Sequence, residues 1–226
     1  MTAEVIAAGE TLTLFSQRAA LWARMDTLLI ADPHWGKAAA FRAGSIPVPR
    51  GTTTAALGRL DRLIACTGAS RLLILGDLLH AREGRAPETL RAIAEWRSRH
   101  ARIEVVLIRG NHDRRAGDPP RELGIACIEA PLFEPPFIFV HHPVESAGAY
   151  VVAGHLHPGV RLAGPGGLRA RLPCFWFGAR RAVLPAFGDF TGLAPISPES
   201  EDRVFVVAEH DVLEVTGPSS SRGSGR

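Results

Sequence analysis

Five short apolar runs in this chain stop abruptly, and each stops at a knot of histidine, acid or amide. The runs are TLLIA before Asp32-Pro33-His34, RLLIL before Gly76-Asp77-Leu78-Leu79-His80, VVLIR before Gly110-Asn111-His112-Asp113, FIFV before His141-His142-Pro143, and YVVA before Gly154-His155-Leu156-His157. Short, unbroken apolar runs bounded by polar punctuation suit strands buried on both faces, as in a sheet covered on each side. In α/β folds the C-terminal ends of such strands gather the chemistry. Of nine histidines, seven lie in these clusters and only His100 and His210 fall elsewhere. Any one cluster reads equally well as a turn, a helix cap or surface histidines. Five in series are harder to explain that way, because sheet geometry brings successive strand ends to one edge.

The intervening segments supply the helices of an α/β architecture. In GTTTAALGRLDRLIACTG (51–68), Leu57, Leu60, Leu63 and Ile64 recur at helical spacing, with threonines available as caps in front and Gly68 behind. PETLRAIAEWRSR (87–99) opens a second helix on proline. LTLF (12–15) and Ala19–Trp22 read as early strands. After about residue 125 the helical period fades, and RLPCFWF (171–177), RAVLP (181–185) and the 203–215 segment read as further strands. Phe175, Trp176 and Phe177 are expected on sheet faces rather than as a stacking platform. We expect one domain over residues 1–216 and a disordered tail over 217–226, GPSSSRGSGR.

Composition excludes several classes. A chain of 226 residues that is 46% hydrophobic can bury a core without cross-links. Cys66, Cys127 and Cys174 are odd in number and far apart, so they form no disulfide framework or thiolate zinc site and are expected as buried small hydrophobes. No apolar run approaches the roughly 18 residues of a membrane span, and the N-terminus lacks a secretion signal's pattern; the expectation is a cytoplasmic protein. The formal charge of +3 permits a polyanionic partner. Lys37 is the only lysine, but a coding preference explains an arginine-rich chain as readily as phosphate recognition does.

Carboxylates, imidazoles and an amide oxygen without thiolate suit Mn²⁺, Fe²⁺, Zn²⁺ or Mg²⁺. So many candidate ligands exceed one tetrahedral ion and suit two, roughly 3.5–4 Å apart, as in two-metal hydrolases.

The ordered set D-x-H, G-D-x-x-H, G-N-H-D, H-x-P and G-H-x-H over about residues 28 to 158 resembles the calcineurin-like metallophosphoesterase superfamily. The resemblance implies a four-layer αββα sandwich, two mixed β-sheets flanked by helices, with a dinuclear centre at the strand ends. It implies that Asp32, His34 and His157 hold one ion, that Asn111, His141 and His155 hold the other, and that Asp77 bridges them. His141 is preferred to His142 because it stands two residues before Pro143, which leaves His142 either behind the ligands or facing substrate. His112 is implied as proton donor to the leaving group and Asp113 as its orienter. The two ions, by preference Mn²⁺, would activate a water for attack on phosphorus.

The G-D-L-L-H form ending in His80 is similar to the SbcD-type nucleases. ADPHWGKAAAFRAGSIPVPRGTT (31–53), LGDLLHAREG (75–84) and PCFWFGARRAVLPAFGDFTG (173–192) resemble the ligase-associated DNA damage response endonucleases. That resemblance implies a DNA phosphodiesterase working in repair beside a DNA ligase and a helicase, with no membrane partner and, as in many nuclease relatives, a homodimer. Candidate substrate contacts are His80, His142, Lys37, Arg42, Arg114 and Arg115; Trp35 reads either as a stacking residue or as packing. Two alternatives stay open: hydrolysis of a small nucleotide or phosphate-ester metabolite, and a non-catalytic scaffold of the same fold.

Overall fold

The computed structural model describes residues 2–146, 148–163 and 169–215; the 217–226 tail lies outside the described residues. Strands β1 (Ala3–Ala7), β2 (Glu10–Phe15), β3 (Ala19–Trp22), β4 (Thr27–Ala31), β5 (Arg71–Leu75), β6 (Glu104–Ile108) and β7 (Ile125–Ile128) form one sheet in chain order. Its pairs are antiparallel as far as β4 and parallel from β4 to β7. Helices α1 (Lys37–Ala43), α2 (Thr52–Thr67), α3 (Pro87–Arg99) and α4 (Asn111–Ala116) lie in the connections between those parallel strands.

The second sheet is also mixed. It takes β8 (Leu132–Glu134), β9 (Phe137–Phe139), β10 (Tyr150–Ala153), β11 (Pro158–Ala163), β12 (Arg169–Phe177), β13 (Arg181–Val183) and β14 (Ala194–Pro195), with β15 (Arg203–Val207) and β16 (Val212–Val215) joined through β12. The strands β9 and β10 run parallel, as do β10 and β13.

The unbroken apolar runs follow from two buried faces. Leu29, Leu73, Leu75, Val106 and Ile108 point toward the second sheet, where they share a core with Phe137, Phe139, Val152, Phe175 and Phe205. Their neighbours Leu28, Ile30, Leu72, Ile74, Val105 and Leu107 point the other way, onto Leu57, Leu60 and Leu63 of α2 and Ile93 and Trp96 of α3. Side chains alternate across a strand, so both layers require apolar residues at every position. Trp22 meets Phe137 edge-on across the sandwich, with ring centroids 4.9 Å apart, a geometry that adds about 0.5–1.5 kcal/mol to simple burial.

Among the described residues every α-helix precedes Gly117, and the outer face of the second sheet carries small clusters around Val151 and around Cys174 and Val204. Two expectations need correction. The threonines do not cap α2 through their side chains: its N-cap is Gly51, at φ 86°, while the Thr53 hydroxyl accepts the Gly36 N–H at 3.0 Å. Cys174 is buried, but Cys66 is exposed, because the apolar stripe of α2 runs through Leu60 and Leu63 and Cys66 falls outside it. Phe175 and Phe177 are core residues, whereas Trp176 faces the opposite side and donates its Nε1–H to Asp202 at 2.7 Å. Trp35 is packing, 1% exposed and tilted against Trp96. No helix among the described residues is long and apolar enough to cross a membrane.

Candidate metal centre

The ends of β4, β5 and β6 meet the ends of β9 and β10, and all seven residues implied as ligands come together there. Asp32 and His34 follow β4, Asp77 follows β5, Asn111 opens α4 after β6, His141 follows β9, and His155 and His157 follow β10. Four overlapping sets of potential ligand atoms lie there within 4.8 Å of one another, among them Asp32 with His34 and His157, Asp32 with Asp77 and His141, and His141 with His142 and His155. The Asp77 carboxylate stands between two halves: Oδ2 is 3.8 Å from His34 Nε2, and Oδ1 is 3.4 Å from His141 Nε2. On one flank, Asp32 Oδ1 is 3.7 Å from His157 Nε2. On the other, His141 Nε2 is 3.0 Å from Asn111 Oδ1 and 3.2 Å from His155 Nδ1.

The local backbone is bent to make this possible. Asp32, His34, Asp77, His155 and His157 all have positive φ, between 45° and 68°. Left-handed backbone disfavours residues with a Cβ by roughly 1–2 kcal/mol each, and such strain collects at functional sites. Glycine admits the close approach of the loops. A Cβ on Gly110 would stand 2.1 Å from Asp77 Oδ1, and one on Gly154 would stand 2.7 Å from Asp32 Oδ2.

Three histidines are aimed in the same way. His141 Nδ1 lies 3.0 Å from the Leu75 carbonyl, His112 Nδ1 lies 2.6 Å from the His80 carbonyl, and His157 Nδ1 lies 3.3 Å from the Gly192 carbonyl. A carbonyl can only accept, so the proton sits on Nδ1 and Nε2 faces inward. This favours His141 as the inward residue: it is 1% exposed, whereas His142 is exposed and lies against the His155 ring.

The role implied for Asp113 is corrected by its contacts. Its carboxylate accepts the backbone N–H groups of Asp77 at 2.7 Å, Gly110 at 2.8 Å and Leu79 at 3.4 Å. It therefore ties the Asp77 loop to the start of α4, while the His80 carbonyl orients His112. His112 Nε2 lies 3.9 Å from Asp77 Oδ2, and its backbone N–H donates to Asp77 Oδ1 at 2.9 Å.

The electrostatics suit cations. Asp32 and Asp77 are 0% and 2% exposed, and buried Asp32 Oδ1 has no hydrogen-bond partner. An orphaned buried carboxylate oxygen is costly unless a cation takes it up. Burial raises the pKa of Asp77, and the neighbouring Asp32 charge adds to it against the His141 contribution. Burial pushes His34 down to about 2, helped by Lys37 and the surrounding histidines, and pushes His80 and His155 down to about 4. Neutral imidazoles are the form that ligates.

The remaining candidates divide. His80 stacks on His112 with centroids 4.9 Å apart, and its Nδ1 is 3.4 Å from His34 Nδ1. Lys37 is half-buried near His34 and His80, which feel its charge; burial lowers its own pKa. Arg114 is exposed, paired with Glu129 at 3.0 Å and felt by His142. Arg115 is exposed at the outer end of α4. Arg42 is engaged with Glu88 at 2.6 Å and the Pro49 carbonyl at 3.4 Å, so the structure does not bring it to the centre with Lys37. The motif reading missed the backbone carbonyls of Leu75, His80 and Gly192, which carry no side-chain signature.

The calcineurin-like phosphoesterase family matches residues 25–156 of this chain. Among solved structures, the nuclease MPE of Pseudomonas putida is 42% identical, with a TM-score of 0.83 over 94% of this chain and 100% of that one. Yfce, a phosphoesterase from E. coli, is 16% identical, with a TM-score of 0.41 over 84% of this chain and 98% of that one. No curated protein matches the chain.

Proposed function

Because the chain belongs to the calcineurin-like phosphoesterase family and is thereby a hydrolase of phosphoester bonds, we propose that it is a two-metal phosphodiesterase whose substrate is DNA. The single observation that carries the two-metal reading is the position of Asp77, between a His34 half and a His141 half. Likeness to a nuclease over 94% of the chain supports DNA as the substrate, as does the Lys37 ammonium beside the centre.

The donor set fits divalent cations, since it offers hard and borderline donors, neutral imidazoles and an unsatisfied buried carboxylate oxygen. Asp32, His34 and His157 would hold one ion, Asn111, His141 and His155 the other, with Asp77 shared; Mn²⁺ is the preferred identity. Such ions, when bound, acidify water and neutralise charge on the phosphoryl oxygens.

The chain's own groups do the rest. The His80 carbonyl holds the His112 Nδ1–H with Nε2 turned inward, where the ring as an imidazolium can pass its Nε2 proton to the departing alkoxide and be left neutral. Asp113 keeps Asp77 and α4 in register through its backbone contacts. Lys37 and Arg114 receive backbone phosphates on either side. In the cell, the proposed setting is cytoplasmic DNA repair, alongside a ligase and a helicase, with the chain as a homodimer.

The test is a panel at matched Mn²⁺: single-stranded DNA, double-stranded DNA, RNA, cyclic nucleotides and phosphomonoesters. DNA cleavage that is abolished by chelation and lost in Asp77→Asn supports the reading. Efficient hydrolysis of small nucleotides with all DNA left intact overturns it in favour of a metabolite hydrolase.

A further inference from the structure

The FGDFT segment at 187–191 is drawn against the first half of the centre at both ends. At its start, Ala186 bridges Ala31, Phe187 N–H donates to the Ala31 carbonyl at 2.7 Å, and Gly188 N–H donates to the Asp32 carbonyl at 3.1 Å. The fit is tight enough that a Cβ on Gly188 would stand 2.4 Å from the Pro33 carbonyl oxygen. At its far end, the Gly192 carbonyl meets His157 Nδ1 at 3.3 Å. The segment therefore spans from the Asp32 backbone to the His157 side chain, and Phe190 stands at its crest.

Phe190 breaks two rules at once. Its φ is 59°, which a bulky residue rarely adopts, and it is 56% exposed, so core packing does not account for the strain. Neighbouring contacts hold the conformation. Asp189 pairs with Arg59 at 2.9 Å and Arg18 at 3.7 Å. Arg59 also donates to the Phe187 carbonyl at 2.6 Å and lies over the Phe187 ring at 4.8 Å, and Arg18 donates to the Gly188 carbonyl at 3.1 Å. Phe190 lines one cleft with His34 and Lys37. An exposed phenylalanine thus shares a cleft with a candidate metal-ligand histidine and with the Lys37 ammonium.

We propose that Phe190 is an aromatic shelf on which the nucleobase flanking the scissile phosphate stacks, held in place by the Asp189 ion pairs. The inference rests on the nucleic-acid reading of the centre and adds how substrate is positioned there. A shelf of this kind accepts any base, because every base has a π-face, and gives affinity without sequence preference. Phe190 is a substrate-contacting residue; Asp189, Arg18 and Arg59 act through it as positioning residues.

The experiment uses the metal-loaded protein and a short oligonucleotide with one cleavable phosphodiester, the other linkages being methylphosphonates. Analogues lacking the base on one or the other side of that phosphodiester are run beside it. Phe190→Ala raises KM about tenfold on the intact oligonucleotide, with the loss on KM rather than kcat, and Phe190→Trp restores it. Wild type loses a similar factor on one of the analogues, and Phe190→Ala loses nothing further. Fluorescence of 2-aminopurine placed at that base is quenched by wild type and not by Phe190→Ala, a reading independent of turnover. Equal KM values for wild type and Phe190→Ala, or equal sensitivity of both to base removal, overturn the shelf alone. A wild-type enzyme that cleaves no oligonucleotide overturns the nucleic-acid reading beneath it as well.

Discussion

Alanine at Gly110 should disable the centre without replacing a ligand. The backbone there is no obstacle, since φ is −93°, a value any residue adopts. The obstacle is space: the new Cβ would stand 2.1 Å from Asp77 Oδ1, 2.8 Å from the Asp77 backbone nitrogen and 2.9 Å from His141 Nε2. Ordinary contact lies near 3.5 Å, so the Asp77 carboxylate, or the strand end carrying it, must retreat by about 1 Å. A misplacement of that size costs about 100-fold in turnover, and disturbing the support of metal ligands typically weakens metal affinity 10- to 100-fold. Overpacking adds about 1–3 kcal/mol of destabilisation. The assay is calorimetric metal titration, with kcat/KM on a phosphodiester at saturating metal and denaturant melts of the chelated protein. Gly58→Ala is the control: it lies inside α2 with nothing nearer its Cβ than Arg62 at 3.9 Å, and should gain about 0.5–1 kcal/mol with unchanged catalysis. Wild-type metal affinity and turnover in Gly110→Ala would refute the packing argument.

Acidification of the chelated protein tests the buried imidazole. The folded-state pKa of His34 is pushed down to about 2 against 6.5 for a free histidine, so below pH 6.5 the unfolded chain takes up a proton that the folded one refuses. Stability therefore falls as pH drops through this window, by up to about 1.4 kcal/mol per unit. Urea melts of His34→Gln should give a flatter profile, and parallel profiles would contradict the assignment. Asp189→Ala should lose about 1–2 kcal/mol of stability from its ion pairs and raise oligonucleotide KM as Phe190→Ala does; an unchanged KM removes Asp189 from the account. Lys37→Met should make the log-affinity against log-salt slope for DNA shallower by about one unit, and an unaltered slope would show that Lys37 meets no phosphate.

The sequence made legible those features that side-chain chemistry writes directly. The strand ends at Asp32, Asp77, Asn111, His141 and His155 were readable because apolar runs buried on two faces break at polar residues that no core accepts. Burial of these strands on two faces was readable for the same reason, as Leu28 and Leu29 must satisfy opposite layers, whereas the stacking of two sheets was implied by the family resemblance. What stayed hidden depends on backbone groups or on distant partners. Nothing in G-N-H-D shows that Asp113 turns to three amides while the His80 carbonyl takes His112. Thr53 was available as a cap by position, but Gly36, seventeen residues earlier, claims its hydroxyl. Cys66 lies on the exposed side of α2 with Arg62 and Ala65, beyond the edge of the apolar stripe, an edge that spacing alone does not mark. FGDFT carries no histidine and belongs to none of the five strand-end clusters, and only its contacts with Asp32 and His157 bring it to the centre.

The most direct test of the central claim is the number of divalent ions bound per chain, counted by equilibrium metal analysis after Mn²⁺ loading and removal of excess. The account predicts two for the wild type and loss of tight binding at both positions in Asp77→Asn, since that carboxylate stands between the two halves. A single ion in the wild type, or two ions retained in Asp77→Asn, would contradict it.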